Sequence, residues 1–408
     1  MSSVYLDHAA ATALDPRVLA AMLPYFADHF GNPQSFYALG ARTKEAIEQS
    51  RQQVAQLVNA RPEEIIFTSS GTESNNLALK GIALANQDKG KHIIVSSIEH
   101  VSVLNVARTL SRHGFEVTFL PVDRTGRVDP ARLKSGIRSD TILISVLTAN
   151  NEVGTVQPIA EIGRIARAAR VPFHTDAVAA AGTIPLDAAA LGVDALTLTA
   201  QNFYGPKGAA ALALRQGIRL QGQIEGGGQE HNRRAGTENV PAIVGLGKAA
   251  ELARAEMTER AVHLQRLRDR LIAELPRRIE RVYLTGHPTQ RLPGHASFCV
   301  EFIEGEAMLL FLDDEGIAAA SGSACTSRAL KASHVLLAMG YDHALAQGSL
   351  MLTLGPGNRD EDVTALLDKL PPIVARLRSM SPLYAKYLKD PQGHDRRQME
   401  EKVCTARK

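Results

Sequence analysis

The chain is short of every feature that would take it out of the ordinary globular class. Its 408 residues include three cysteines, Cys299, Cys325 and Cys404. Their spacing makes neither a disulfide framework nor a CxxC metal pattern, and fits a reducing cytoplasm. Apolar runs break well before the length of a membrane span, so no contact with a membrane is expected. The opening Met-Ser-Ser-Val-Tyr-Leu-Asp-His lacks the basic end and apolar block of a secretory signal. Charge of one sign is also scarce: 46 Lys and Arg against 43 Asp and Glu give +3. With no basic run interleaved with aromatics, nucleic acid is excluded as an expected partner. Internal repeats and low-complexity tracts are missing too.

What is there is 45% hydrophobic and 22% charged, a soluble globular balance. The length exceeds one ordinary core and predicts two domains. From residue 65 onward, short β-rich runs alternate with helical patterns: strands at 65–68, 93–96, 117–122, 141–146, 171–175 and 195–199, helices at 72–85, 101–113 and 158–169. That alternation predicts an α/β, doubly wound, mainly parallel sheet. A helical stretch over 240–275 leads out of it, and 296–378 reads as a smaller α+β unit. The expected division is a large domain over 15–255, a small one from 1–14 and 256–380, and a polar tail over 381–408, partly disordered or partner-bound.

Polar motifs sit where these strands end. Ser69-Ser70-Gly71-Thr72-Glu73 lies between a strand and a helix, and its free amides, glycine and hydroxyl suit a phosphate; alone such a motif is usually only a helix cap. His100 follows a strand and by itself is an ordinary loop histidine. Asn151 follows another strand. Asp176 ends a third, a site position in any open α/β sheet, though a carboxylate there can also cap the next helix. Between two strands stands Thr-Ala-Gln-Asn-Phe-Tyr-Gly-Pro-Lys-Gly at 199–208, a loop built to present side chains. Ser321-Gly322-Ser323-Ala324-Cys325-Thr326-Ser327 is a small-residue loop that exposes its thiol, the condition for reactivity. Cys299, inside a strand-like run, reads as inert and Cys404 as incidental.

In this order the motifs resemble the cysteine desulfurases of the NifS/IscS group, in the class V aminotransferase family. The match runs from Tyr5-Leu6-Asp7 to Ser381-Pro382-Leu383-Tyr384. The resemblance implies the fold type I of pyridoxal phosphate (PLP)-dependent transferases. It implies that Gly71 and Thr72 hold the cofactor's phosphate and His100 stacks on its ring. Asn151 would bond the ring oxygen and Asp176 the ring nitrogen. Thr237, in Arg233-Arg234-Ala235-Gly236-Thr237, matches a threonine that reaches the phosphate from a neighbouring subunit, which implies a homodimer. Cys325 matches the cysteine that takes the substrate sulfur.

Four positions depart from that pattern. Asn202 stands where the family has the lysine that binds PLP covalently, and Gln201 where it has a histidine. Ala179 replaces a glutamine that bonds the cofactor, and Met351 an arginine that docks the substrate carboxylate, with Pro356 displacing another arginine nearby. Lys207 lies beyond the Gly205-Pro206 turn, where the family already has a lysine beside the catalytic one. Losing the docking arginine weakens substrate binding by about one to two orders of magnitude, and losing a positioned acid/base costs roughly 10²–10⁴ in rate.

The first expectation is therefore a sulfur-transfer protein of iron–sulfur cluster assembly, impaired in classical PLP chemistry. It would keep Cys325 as its sulfur-handling residue and hold or relay sulfur drawn from L-cysteine or sulfide, or lend that thiolate as ligand to a transient iron–sulfur cluster on a scaffold protein. One alternative is a working PLP-dependent L-cysteine desulfurase, cofactor held non-covalently through Thr72, Asn151, Asp176 and Thr237. The other is a non-catalytic subunit that docks a scaffold through its tail.

Overall fold

The computed structural model describes residues 4–322 and 332–393. Seven strands form the principal sheet: β1 (Ile65–Thr68), β2 (His92–Ser96), β3 (Glu116–Leu120), β4 (Thr141–Ser145), β5 (Phe173–Asp176), β6 (Ala195–Thr199) and β7 (Ala210–Leu214). Their order is β1-β7-β6-β5-β4-β2-β3. Only β7 runs against its neighbours, pairing antiparallel with β1 and β6, while β6, β5, β4, β2 and β3 pair in parallel. Strands β1, β2, β4, β5, β6 and β7 are buried along their whole length, because helices cover both faces and leave no polar face to alternate with.

Helix α1 (Ala38–Leu57) packs on one face and α2 (Gly71–Ala85) on the other. Helix α3 (Val101–Arg112) lies beside α2, burying Val103, Val106, Ala107 and Leu110. The α/β class with a mainly parallel central sheet is the architecture that the sequence pattern predicts. One edge of the sheet matters for function. The six strands that share a direction all deliver their carboxyl ends to the same edge; Asp176 is the last residue of β5, and the segments after β1, β2, β4 and β6 hold Gly71, His100, Asn151 and Asn202.

Helix α4 (Val240–Arg278) is 39 residues long and joins two hydrophobic cores. Leu246, Ala249, Ala250 and Ala253 sit in the core under the large sheet. Leu264, Leu267, Leu271 and Leu275 sit in a second core, on the three-stranded sheet of β8 (Val282–Leu284), β9 (His295–Val300) and β10 (Ser349–Thr353). The expected boundary at 255 falls inside this helix. Residues Val4–Tyr5 pair with Ile317–Ala318, so the amino-terminal segment starts in the second unit and then crosses to the sheet edge.

Within the expected tail, residues Pro382–Lys389 form a helix, α6, after α5 (Asp360–Ser379), and residues 394–408 lie outside the described residues. The Ser381 side chain accepts from the Tyr384 amide and Pro382 opens the first turn, a standard helix start. Tyr384 and Tyr387 pack on Phe302, with ring centroids 5.5 and 4.8 Å away. Packing of these half-buried aromatic rings on Phe302 holds a segment that composition alone reads as solvated.

Candidate active site

At the end of β1, the Ser70 hydroxyl accepts from the Glu73 amide at 3.1 Å and caps α2. The amides of Gly71 and Thr72 precede any acceptor within the helix and are left for an anion. A Cβ on Gly71 would come within 2.9 Å of Val178, so the glycine is what lets this turn lie against the loop after β5. Glu73 reaches back to the Ser69 amide at 2.9 Å and accepts from Arg234 Nε at 2.9 Å. That ion pair ties the 233–239 segment to the start of α2; Thr237, three residues beyond Arg234, is exposed.

Asp176 is buried at the tip of β5 and fully engaged. Its Oδ1 accepts from the Val178 amide at 3.0 Å and its Oδ2 from Asn75 Nδ2 at 2.7 Å. Asn75 also donates to Ser102 Oγ at 2.9 Å, and Ser102 lies 2.7 Å from His100 Nδ1. Asp176 and His100 are thus joined through two residues that sequence reasoning missed, one on α2 and one on α3. The polar Ser74-Asn75-Asn76 run within α2 does not by itself show which strand or helix Asn75 faces.

Behind His100, Glu99 is fully buried; its Oε1 accepts from Ser96 Oγ and the Leu147 amide, each at 2.7 Å. Burial pushes this carboxyl up to about 8, with the charge of Asp176 adding to the rise against those two hydrogen bonds. The remaining oxygen, Oε2, is buried with no partner among the described residues.

Asn151 and Asn202 line one cavity, with Ala179, Thr183, His8, Thr353 and His295. The Asn151 carbonyl lies 2.9 Å from His295 Nε2. Asn202 Nδ2 is a long 3.5 Å from the Ala9 carbonyl, and Asn202 Oδ1 is buried with no partner among the described residues. Thr12, also missed in the sequence, holds the turn that carries Asn202: it donates to the Gln201 carbonyl at 2.6 Å and accepts from the Tyr204 amide at 3.0 Å. Tyr204 takes φ +68°, the left-handed conformation that reverses the chain into Gly205-Pro206. Burial lowers both His8 and His295 to about 4, so both rings are neutral near pH 7.

Lys207 is exposed past this turn, and Met351 is buried on β10. Cys299 is buried on β9, where burial pushes its thiol up to about 12, as expected of an inert cysteine. Cys325 lies outside the described residues. On either side of its segment, Ser333 Oγ donates to Glu152, and a Cβ on Gly322 would stand 2.6 Å from the same carboxylate. Burial raises Glu152 to about 7 against that hydrogen bond. Among the described residues no helix is long and apolar enough to cross a membrane, and no three His, Cys, Asp or Glu side chains converge as a metal site.

The arrangement fits a phosphorylated pyridine in most respects: amides for a phosphate, a fixed buried carboxylate for a ring nitrogen, and an imidazole beside it. At Asn202 it offers an amide, which is not nucleophilic and forms no covalent bond to an aldehyde.

Residues 4–366 match the Aminotransferase class-V family model. The chain is 53% identical over 384 residues to the cysteine desulfurase IscS of Methanosarcina thermophila, covering 94% of this chain and 95% of that protein. It is 52% identical over 382 residues to IscS 1 of Archaeoglobus fulgidus, covering 94% and 100%. Among solved structures, a NifS-like protein superposes with a TM-score of 0.87 at 36% identity, over 92% of this chain and 100% of that one. The NifS-like protein of Rickettsia africae gives 0.83 at 32%, over 91% and 99%. With a family model spanning nearly the whole length and relatives of this likeness on both sides, the chain belongs to the class V aminotransferases, in their NifS/IscS group of cysteine desulfurases.

Proposed function

We propose that the protein is a working PLP-dependent L-cysteine desulfurase that holds its cofactor without a covalent tether. The observation that carries this reading is the fixed carboxylate of Asp176, held by Asn75 and the Val178 amide, at the same sheet edge as the open amides of α2. Identity above 50% to the relatives named cysteine desulfurase, over almost the full chain, supports it.

In this reading Gly71 and Thr72 bind the phosphate, with Thr237 contributed across a homodimer. His100 covers the ring, Asn151 meets its oxygen and Asp176 holds the proton on its nitrogen. When bound, the cofactor supplies a sink for electrons released at the substrate's α-carbon. Net, L-cysteine becomes L-alanine and its sulfur passes to the Cys325 thiolate, for delivery to an iron–sulfur scaffold protein in the cytoplasm.

A second reading rests on Asn202. With an amide at the position implied for the covalent lysine, the Cys325 thiolate takes sulfane sulfur from a persulfide donor, which leaves as a thiol, or serves as ligand to a transient iron–sulfur cluster, without desulfurating cysteine itself.

The purified protein, saturated with PLP and given L-cysteine, decides between them. Stoichiometric alanine and sulfane sulfur, lost in Cys325→Ala, are expected from the first reading. Absence of turnover at saturating PLP ends it, and an Asn202→Lys variant that then gains activity by about 10²–10⁴ favours the second.

A further inference from the structure

The cavity beside Asn202 has a charge pattern of its own. It measures about 80 Å³, room for a handful of waters and therefore for a molecule of similar heavy-atom count. Among the described residues that line it, Arg260 is the one Lys, Arg, Asp or Glu side chain, and burial keeps His8 and His295 unprotonated. Arg260 comes from α4, with its side chain only 13% exposed and its guanidinium 5.3 Å from the centre of the Tyr204 ring. Nη2 of Arg260 donates to Glu256, but Glu256 also accepts from Arg17 Nη1 at 2.5 Å, so one carboxylate is divided between two guanidiniums. Arg17 in turn bonds Asp15 at 2.7 Å.

Around this cation the wall is apolar: Met257, Ala261 and Leu264 from the same helix, with Leu292 and Leu354 also lining the cavity. A largely buried cation beside an apolar wall attracts an anion more strongly than one in water. Asn202 adds the complementary feature, a buried carbonyl oxygen that lacks a donor among the described residues. A positive fork, an orphan acceptor and an apolar wall in one small cavity match a carboxylate, an amino group and a short side chain.

We propose that this cavity docks the small α-amino acid substrate, Arg260 taking its carboxylate and Asn202 Oδ1 accepting from its nitrogen. The assignment deepens the desulfurase reading and rests on it for the identity of the amino acid. It also gives the substrate carboxylate a partner that Met351, an uncharged side chain buried on β10, does not supply. Arg260 is then the residue that sets specificity for amino acids over amines.

Ligand-observed NMR titration of the full chain without added PLP, using L-alanine and ethylamine as probes, tests this. The wild type is expected to prefer L-alanine. R260Q is expected to lose about tenfold to hundredfold in L-alanine affinity while ethylamine binding stays unchanged. R260K, which keeps the charge but not the two-pronged donor, is expected to fall between, and serves as the second variant should R260Q not fold. Equal L-alanine affinity across wild type and either variant overturns the proposal, as does a parallel loss of both probes or the absence of any preference for L-alanine in the wild type. The desulfurase reading is scored separately. It fails if L-cysteine with PLP gives no alanine even though L-alanine binding depends on Arg260, whereas the docking assignment fails if R260Q turns over L-cysteine with an unchanged KM.

Discussion

Asn75 Nδ2 donates to Asp176 Oδ2 at 2.7 Å and to Ser102 Oγ at 2.9 Å, both bonds buried. One amide group on α2 therefore fixes the carboxylate at the end of β5 and the hydroxyl that meets His100. Asn75→Ala leaves a buried carboxylate oxygen and a buried hydroxyl without this donor. The expected cost is about 1–3 kcal/mol, the range for unsatisfied buried polar groups, seen as a fall of a few degrees in melting temperature by calorimetry. A melting temperature equal to wild type would mean that Asp176 is held by its surroundings rather than by this contact.

A second buried contact positions the segment that carries Thr237. Glu230 accepts from Arg51 Nη2 at 2.8 Å and Nη1 at 2.9 Å, and from the Phe67 amide at 2.8 Å. Glu230, His231 and Asn232 hold φ values of +46°, +56° and +62°, a run of left-handed residues that costs roughly 1–2 kcal/mol each. The two-pronged ion pair, sealed from water, offsets that strain. Glu230→Ala leaves the Arg51 guanidinium buried without its counter-charge, so a loss of about 3–5 kcal/mol is expected in a urea melt. A loss under 1 kcal/mol would show that Arg51 is satisfied without Glu230, through Ile65 and Glu48.

Much of the fold is legible in the sequence, and the exceptions have physical causes. Strands at 65–68 and 195–199 are read to the residue, because short buried runs flanked by turn residues leave little choice of boundary. Helix Pro130–Gly136 escapes, being seven residues long with one buried side chain, Leu133, and too short for periodicity to register. Helix Pro382–Lys389 escapes because its polar composition outweighs the Ser381-Pro382 start signal, and its partner Phe302 lies 80 residues away in the chain. At the site, residues at strand ends can be picked out because strand ends are where open sheets bind ligands. Asn75, Ser102 and Thr12 could not: each acts through a partner on another element, and linear sequence does not show which helix faces which strand.

Glu99 gives the fold a measurable pH signature. In the unfolded chain its carboxyl ionises near 4.5, whereas in the folded protein burial holds it protonated up to about 8. A raised carboxyl binds its proton more tightly in the folded state, so the unfolded state gains from ionisation first. Stability is therefore unaffected below about 4.5, falls as pH rises, and stops falling once the folded group also ionises near 8. The slope through that window is at most about 1.4 kcal/mol per pH unit. Glu99→Gln removes the titration while keeping the shape: its carbonyl oxygen can still accept from Ser96 and Leu147, and its amide replaces the oxygen that has no partner among the described residues. Urea midpoints for the two proteins should coincide near pH 4.5 and diverge toward pH 8, with the variant the more stable. Curves that stay parallel across this range would show that Glu99 is ionised in the folded protein, and that the hydrogen bonds from Ser96 and Leu147 outweigh the burial.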